Sequence, residues 1–232
     1  MSEYGYWDSA PSCSTRYLLP MVAAAVRALP PGSVVLDLGC GNGSMLANLR
    51  NAGLSLHGLD SSASGVAIAQ QRYPELDIGR ADLTADLQEH PLSGTCDLVI
   101  STEVVEHLFL PRPFAQNCYG FLRPGGRLLI STPYHGYLKN IALATSGKLD
   151  AHFTVLWDHG HIKFWSRKTL GALLQEAGFV LEAFHGVGRV PFLWKSMVLS
   201  ASKPLDGVVG ASGSACDPAG MMKGLKPRRE GK

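Results

Sequence analysis

One segment constrains the fold of this chain more than any other: an apolar run that passes through three alternating glycines. Residues 34–49 read VVLDLGCGNGSMLANL, with Gly39, Gly41 and Gly43 in the turn and a helical pattern after it. A buried strand, a glycine-rich turn and a helix in this order form the first unit of many nucleotide-binding α/β domains. Because glycine has no side chain, the backbone of such a turn can approach a ligand closely. The segment therefore predicts a ligand-binding turn.

The rest of the chain alternates between strand-like and helix-like patterns, which is typical of a parallel sheet. The last two strand-like segments are joined by a link too short for a crossover helix, so we expect them to pair antiparallel. The sequence predicts a doubly wound, Rossmann-like α/β fold: a seven-stranded, mostly parallel sheet with an antiparallel last strand and helices on both faces. The strand-like segments are 33–39, 54–60, 77–82, 96–102, 127–133, 180–187 and 196–203.

One domain is expected to take up most of the 232 residues, over positions 1–203. Between the fifth strand and the last helix lies a long insertion, residues 134–165, which is rich in histidines and aromatic residues. Insertions of this length in compact domains are typical of lids over active sites. Residues 204–232 are rich in Gly, Ser and Ala with a basic end, and they predict a disordered basic tail.

Composition argues against several classes of protein. Hydrophobic residues make up 46% of the chain and charged residues 17%, which allows a sizeable core. The net charge of +2 is too near zero to indicate a nucleic-acid partner. Five scattered cysteines without a CxxC pair indicate reduced thiols, and no signal-peptide pattern or long apolar window is present. We expect a cytoplasmic protein, and the sequence leaves its oligomeric state open.

The residues around the glycine turn restrict the ligand. A dinucleotide-binding turn needs Gly or Ala three positions after its second glycine, where this chain has Ser44. A phosphate-binding P-loop is excluded because no Gly-Lys-Ser/Thr follows. Asp37, at the end of the strand, would repel a pyrophosphate at the helix N-terminus and attract an ammonium group instead. The pattern favours a ligand that is cationic on one side and carries an amino group.

These motifs together resemble a known family. DLGCGNG is similar to motif I of the class I S-adenosylmethionine-dependent methyltransferases, an acidic residue followed by GxGxG. The segments LHGLDSS, RADL, CDLVISTEVVEHL and LRPGGRLLISTP resemble the family's later motifs in the same order, so that the resemblance covers roughly residues 17–203. EVVEHL and HIKFWS are similar to the small-molecule branch that includes the ubiquinone-biosynthesis O-methyltransferases.

The resemblance implies S-adenosyl-L-methionine as cofactor and a set of residues that bind it. Asp60, after the second strand, would bind both ribose hydroxyls, and Asp82 with Leu83 would lie at the adenine. Two alternatives stay open: Asp60 can instead cap the next helix, and Asp86 competes with Asp82. Cys40 is expected to touch the cofactor only through its backbone. The predicted set is Asp37, Gly39, Cys40, Gly41, Gly43, Asp60, Ser61, Asp82, Leu83, Thr102 and Glu103.

Glu103, Glu106 and His107 follow the fourth strand at helical spacing, which would place them on one face of a helix. Two carboxylates and an imidazole can bind a divalent cation. The enzymes that the chain resembles carry a comparable pattern linked to metal dependence. In the alternative reading no metal binds, Glu103 faces the cofactor, and His107 packs under the sheet edge or faces the substrate.

The insertion supplies the remaining candidates for chemistry. A methyl acceptor that is a phenol or hydroxyl needs a base, and neutral histidine suits neutral pH. Among His135, His152, His159 and His161 we choose His161 and His135 as catalytic candidates, followed by His107. Aromatic residues are expected to form an apolar pocket for the acceptor or to close over the cofactor. They are Tyr134, Tyr137, Trp157, Phe164 and Trp165 for the pocket, and Tyr4, Tyr6 and Trp7 for the closure.

The resemblance implies methyl transfer from S-adenosylmethionine to oxygen, with nitrogen and carbon as second choices, on a small aromatic, quinol or secondary metabolite. Contact with a membrane would be at most peripheral, through residues 134–165 and 190–198. Two alternatives are an NAD-type oxidoreductase and a non-catalytic module that binds S-adenosylmethionine. Asp37 and Ser44 argue against the first.

Overall fold

The computed structural model describes residues 5, 6, 8–50, 53–153, 155–158 and 160–205. The predictions for Tyr4, Trp7, His159 and the tail beyond residue 205 lie outside these residues. Seven strands form one sheet in the order β3-β2-β1-β4-β5-β7-β6. The strands are β1 (Val34–Leu38), β2 (Ser55–Asp60), β3 (Asp77–Arg80), β4 (Cys96–Thr102), β5 (Leu122–Pro133), β6 (Val180–Val187) and β7 (Ser196–Ser202).

The pairing of the strands confirms the predicted topology. Strands β1 to β5 pair parallel with one another, and β7 lies antiparallel between β5 and β6. The chain order of the strands reverses between β1 and β4, so their carboxyl ends flank a crevice at the topological switch point. Ligands of open α/β sheets bind in such crevices. The glycine loop follows β1 and the segment EVVEHL follows β4, so both reach this crevice.

The helices cover both faces of the sheet, as predicted. Leu36 and Ile130 point to one face, where they pack with Phe114 and Leu174. Val35 belongs to the cluster on the opposite face. Burial on both faces explains why these strands are almost continuously apolar. The helices are α1 (Thr15–Arg27), α2 (Ser44–Asn48), α3 (Ala63–Arg72), α4 (Pro111–Phe121), α5 (Tyr137–Thr145), α6 (Leu149–Phe153) and α7 (Arg167–Glu176).

The insertion at 134–165 contains two of these helices, α5 and α6, and joins β5 to α7. Ser166 caps α7 as its sequence indicates, because its hydroxyl accepts a hydrogen bond from Thr169 N at 3.2 Å. Among the residues that the structure describes, no helix combines the length and apolar character needed to cross a membrane.

Candidate functional site

The glycine loop between β1 and α2 is held in a conformation that depends on its glycines. Gly39 and Gly41 have φ angles of 94° and 55°, in the left-handed region that residues with a β-carbon rarely adopt. A β-carbon at Gly39 would also overlap Val104 Cγ2. The amide groups of Gly39 and Cys40 donate to Leu59 O at 2.7 and 3.2 Å, which fixes the loop to the end of β2.

Asp37 lies near the end of β1 with its side chain turned into the crevice. The residue is 1% exposed, and neither carboxylate oxygen has a hydrogen-bond partner among the described residues. Burial, followed by the charge of Asp60, raises the pKa of Asp37 from 3.8 to about 7. A buried carboxylate without a partner is costly, so its retention beside a cavity indicates a cationic ligand.

Asp60 lies at the end of β2 and is 8% exposed. Its carboxylate accepts hydrogen bonds from Gly41 N at 2.7 Å and Ser62 N at 2.8 Å. The alternative that Asp60 caps α3 is not needed, because Ser62 is the N-cap and accepts from Gly65 N at 3.1 Å. Ser61 lies beside it and is exposed. Asp60 thus ties the glycine loop to β2 and lies where the predicted ribose contact would be.

A cavity of about 250 Å³ lies above the start of the glycine loop. Four of the predicted cofactor residues line it, namely Asp37, Gly39, Cys40 and Thr102. The opposite wall comes from the N-terminal segment, which includes Tyr6. Seven of the predicted residues do not line the cavity: Gly41, Gly43, Asp60, Ser61, Asp82, Leu83 and Glu103.

Asp82 and Leu83, predicted at the adenine, take part in local structure after β3. Asp82 is exposed and accepts hydrogen bonds from Thr84 N and Thr84 Oγ1 at 2.9 and 2.8 Å, which lower its pKa. Leu83 is 3% exposed and belongs to the core. Their adenine contact therefore stays a prediction, with only their place at the end of β3 in its favour.

Glu103 departs from the sequence prediction. The segment after β4 is not an α-helix but a 3₁₀ turn at Val105–His107, and Glu103 precedes it with a left-handed φ of 57°. The prediction that Glu103 shares a helical face with Glu106 and His107 is therefore wrong. Ser131 Oγ and Ser196 Oγ donate to its two carboxylate oxygens at 2.7 and 3.0 Å. Burial raises the pKa of Glu103 to about 7, against the opposing effect of these hydrogen bonds.

Glu106 is 1% exposed, and its side chain faces two histidines. Thr132 Oγ1 donates to Oε2 at 3.0 Å, whereas Oε1 has no hydrogen-bond partner within the described part of the chain. Burial and the neighbouring Glu103 carboxylate raise the pKa of Glu106. One ligand atom each from Glu106, His107 and His161 lie within 4.8 Å of one another, a spacing that suits a metal ion. His161 thus stands where the sequence had suggested Glu103.

The predicted histidines fall into two pairs at this edge of the sheet. The rings of His107 and His161 are 5.0 Å apart, and those of His135 and His152 are 5.3 Å apart. Burial lowers the pKa values of His135 and His161 to about 4, with neighbouring histidines and Lys139 adding to the effect. Both rings are therefore neutral at neutral pH, which is the form that accepts a proton.

The predicted aromatic pocket is only partly formed. Trp165 is 9% exposed, packs in the core and donates from Nε1 to Val105 O at 3.2 Å, so its role is structural. Tyr134 packs against Trp194 with ring centroids 5.1 Å apart. Phe164 lies edge-on to His135 at 5.0 Å, and Trp157 lies 6.0 Å from His161. Phe164 and Trp157 therefore remain as candidates for contact with an acceptor.

Two residues at the site were missed from the sequence. Asn42, inside the glycine loop, donates from Nδ2 to Asp8 O and Ala10 O, both at 2.9 Å. Lys139 of α5 is 6% exposed and donates to Tyr134 O at 2.8 Å, and burial lowers its pKa to about 8. Neither had a sequence signal, because both contacts depend on how distant segments pack.

Comparison with known proteins agrees with this geometry. A family model described as a methyltransferase domain matches residues 14–183. The chain is 30% identical over 173 residues to the ubiquinone biosynthesis O-methyltransferase of Caulobacter vibrioides, covering 72% of this chain and 67% of that protein. It is 31% identical over 166 residues to the mitochondrial enzyme of that name from Rattus norvegicus, covering 69% of this chain and 48% of the relative.

A probable S-adenosylmethionine-dependent methyltransferase of Mycolicibacterium smegmatis is 33% identical over 162 residues, which cover 68% of this chain and 57% of that protein. The chain thus spans about half to two thirds of the curated relatives it matches.

Solved structures show the same fold. The magnesium protoporphyrin IX methyltransferase of Synechocystis, with bound S-adenosylhomocysteine, has a TM-score of 0.61 and 23% identity over 80% of this chain and 81% of that one. A methyltransferase of Haloferax volcanii in complex with the Trm112 activator has a TM-score of 0.63 and 18% identity over 82% and 91%. The chain belongs to the methyltransferase domain family and is a class I S-adenosylmethionine-dependent methyltransferase.

Proposed function

We propose that the protein transfers the methyl group of S-adenosylmethionine to an oxygen of a small aromatic or quinol-type acceptor. Nitrogen and carbon are the second choices for the acceptor atom. The observation that carries the proposal is the pair of imidazoles, His107 and His161, beside Glu106 Oε1 at the carboxyl ends of the strands. The curated relatives named O-methyltransferases support the choice of oxygen.

The donor would lie along the glycine loop. The Asp37 carboxylate would accept hydrogen bonds from the ammonium group of the methionine part. This group would supply the donors that the buried Asp37 oxygens lack. Asp60 would bind the ribose hydroxyls from the end of β2, and Thr102 would line the methionine part from the end of β4. Gly39 leaves room for the backbone to approach the ligand.

The residues of the acceptor side would align the oxygen and take its proton. In methyl transfer the acceptor oxygen attacks the sulfonium methyl in line, so a C–O bond forms as the S–C bond breaks. The cofactor then leaves as a neutral thioether, and the oxygen's proton passes to a base. His161 is our first choice, since its neutral ring lies beside His107, and His135 is the second.

A divalent cation is a further proposal for the same edge. Glu106, His107 and His161 offer a carboxylate and two imidazoles, a ligand set that suits several divalent metals. An imidazole bound to a metal cannot take a proton, so with a metal present the base would be His135. Gly160 O lies 3.3 Å from His107 Nδ1, a contact that can orient the ring, and Nε2 lies 3.9 Å from Glu106 Oε1 at the proposed metal site. Equilibrium dialysis with Mg²⁺, Mn²⁺ and Zn²⁺ tests the site, and loss of binding in Glu106→Gln is the expected result.

A lipid-like acceptor is a second candidate, favoured by exposed apolar side chains on and near the insertion. Leu156 is 96% exposed and Tyr137 is 79% exposed. Phe109, two residues after His107 in the sequence, is 75% exposed. Sedimentation with phospholipid vesicles would detect the peripheral membrane contact that such an acceptor requires. A cytoplasmic location also stays a proposal, based on the scattered thiols.

The deciding experiment is a mass-spectrometric screen. Phenols, catechols, quinols and amines are incubated with the protein and S-adenosylmethionine, and products heavier by one CH₂ unit are located by fragmentation. Methylation of a hydroxyl oxygen is the expected result. If only amines are methylated, the acceptor atom is nitrogen and the proposal of oxygen is wrong. Tight binding of S-adenosylhomocysteine with no product from any acceptor would favour the non-catalytic module.

A further inference from the structure

The N-terminal strap, which we define as Gly5, Tyr6 and residues 8–12, lies across the glycine loop. It forms one wall of the cavity that contains the Asp37 carboxylate. No residue of the strap belongs to a helix or strand, so the sheet does not hold it in place. The residues of the strap that line the cavity are Gly5, Tyr6, Asp8, Ala10 and Ser12.

Asn42 holds the middle of the strap. Its Nδ2 donates to Asp8 O and to Ala10 O, both at 2.9 Å, which uses both hydrogens of the amide group. Its Oδ1 accepts from Ser44 N at 3.2 Å, at the start of α2. Asn42 is 4% exposed, whereas Asp8 and Ala10 are exposed, so the two bonds to the strap are partly shielded from water. One side chain of the glycine loop therefore clamps the strap over that loop.

Tyr6 holds the other end of the strap against the same surface. Its amide donates to Ser64 Oγ at 3.0 Å. A β-carbon at Gly41 would overlap Tyr6 Oη, and one at Gly65 would lie 2.8 Å from Tyr6 Cδ2. The ring thus lies on the backbone of Gly41, whose amide donates to the Asp60 carboxylate. This is the surface along which the ribose part of the donor would lie.

We infer that the strap is a gate for the cofactor, and that Asn42 is the positioning residue that holds it closed. The inference rests on the proposed placement of the donor at Asp37 and Asp60. With the strap clamped, its residues line the cavity at Asp37 and Tyr6 covers Gly41, so a donor lying along both would lie beneath the strap. Release of S-adenosylhomocysteine therefore requires the Asn42 bonds to break first.

A gate makes a kinetic prediction that a simple binding contact does not. Weakening a binding contact speeds dissociation and leaves association unchanged. Weakening a gate speeds both, since the ligand passes in each direction through the same open state. The observed rate of binding to the native protein should also level off at high ligand concentration, because opening of the strap then becomes the rate-limiting step.

The test is rapid-mixing kinetics with S-adenosylhomocysteine on the full chain, comparing Asn42→Ala with the native protein. We expect association and dissociation each to become faster, on the order of tenfold for the loss of two hydrogen bonds. Asn48→Ala is the matched control, because Asn48 Nδ2 donates to Ser44 O at 2.7 Å and does not contact the strap. Both of its rates should stay at the native values.

Tyr6→Ala provides an independent variant, which loosens the strap without changing the glycine loop, and it should accelerate both rates as well. Faster dissociation with unchanged association in both variants would overturn the gate and leave the strap as a binding contact. Unchanged rates in both would overturn it too. An equilibrium titration of Asp37→Asn and Asp60→Ala separates the two proposals: native affinity in both would mean that the donor placement is wrong.

Discussion

The proposed donor end and the proposed acceptor end of the crevice are built in different ways. At the donor end, Asp37 and Asp60 are 1% and 8% exposed and belong to the ends of adjacent parallel strands. At the acceptor end, the insertion leaves apolar side chains such as Leu156 96% exposed. Backbone bonds from Ile162 N and Lys163 N to Glu106 O, each 3.0 Å, help to hold it to the sheet edge.

This difference indicates which part of such an enzyme tolerates amino-acid substitutions. The donor end consists of backbone conformations that need glycine and of buried carboxylates, so most substitutions there would affect both folding and donor binding. The acceptor end is carried by a segment with fewer buried contacts, which tolerates change more easily. We therefore expect the two ends to respond separately to mutation, with donor affinity and turnover as the respective measures.

His161→Ala should have the largest effect, and it should lower turnover without changing donor affinity. If His161 takes the acceptor's proton, turnover should drop on the order of 100-fold, which is typical for loss of a general base. Affinity for S-adenosylhomocysteine, measured by calorimetry, should stay within about twofold of the native value, because His161 does not line the donor cavity.

His185→Ala is the control for His161→Ala, since His185 is an exposed histidine of β6 outside the insertion and should leave turnover unchanged. A parallel loss of donor affinity in His161→Ala would contradict the separation of the two ends. Turnover is measured with the acceptor that the mass-spectrometric screen identifies.

Sequence patterns predict the elements of the donor end well, because each of these elements has a local sequence signal. The strand, the glycine turn and the next strand each have their own signal, and the parallel order of β1 and β2 brings Asp37 and Asp60 together. The parallel pairing of β1 to β5 and the antiparallel β7 agree with what the same patterns predict. The length of helix α2 is less well predicted: the segment SMLANLRNAG, residues 44–53, predicts a helix that ends at Gly53, whereas α2 ends at Asn48.

The acceptor end could not be predicted in the same way, because distant residues determine it. Helical spacing suggested a shared face for Glu103 and Glu106, but Ser131 and Ser196 hold the Glu103 carboxylate from two other strands. His161 joins Glu106 and His107 although 54 positions separate it from His107. No local pattern predicts such a contact.

Asp37→Asn should have the next largest effect, at the donor end. Loss of a charged hydrogen-bond partner should weaken S-adenosylmethionine binding by about 1.5–3 kcal/mol, measured by calorimetry. The ligand-free protein should melt at a higher temperature, because a neutral amide replaces a buried carboxylate whose pKa is raised to about 7. Asp60→Asn is the comparison: it also disturbs the bonds from Gly41 N and Ser62 N, so it should lower stability. A melting temperature that falls in Asp37→Asn would contradict the role of Asp37 as a costly, ligand-directed carboxylate.

The pH dependence of donor binding should be a smaller effect and should follow the same residue. Because the folded protein holds the Asp37 proton up to about pH 7, against 3.8 for a free side chain, binding of an ammonium below pH 7 requires that proton to leave. Affinity should rise up to about tenfold per pH unit towards pH 7 and then level off. The same shift makes the ligand-free protein lose stability as the pH rises from 3.8 towards 7. Calorimetric titrations at several pH values measure how donor affinity depends on pH. This dependence should disappear in Asp37→Asn, although Asp60 and Cys40 still lie beside residue 37.

Lys139→Met should have the smallest effect, and it tests whether the two ends are coupled. The change removes the donor to Tyr134 O at 2.8 Å, but it also removes an ammonium whose pKa burial lowers to about 8. These contributions oppose each other, so the free energy of unfolding should change by no more than about 1 kcal/mol in chemical denaturation. Donor affinity should stay within about twofold of native, because Lys139 belongs to α5 of the insertion and does not line the donor cavity. A loss of donor affinity beyond about tenfold, 1.4 kcal/mol, would mean that the insertion helps to shape the donor end and that the two ends are one unit.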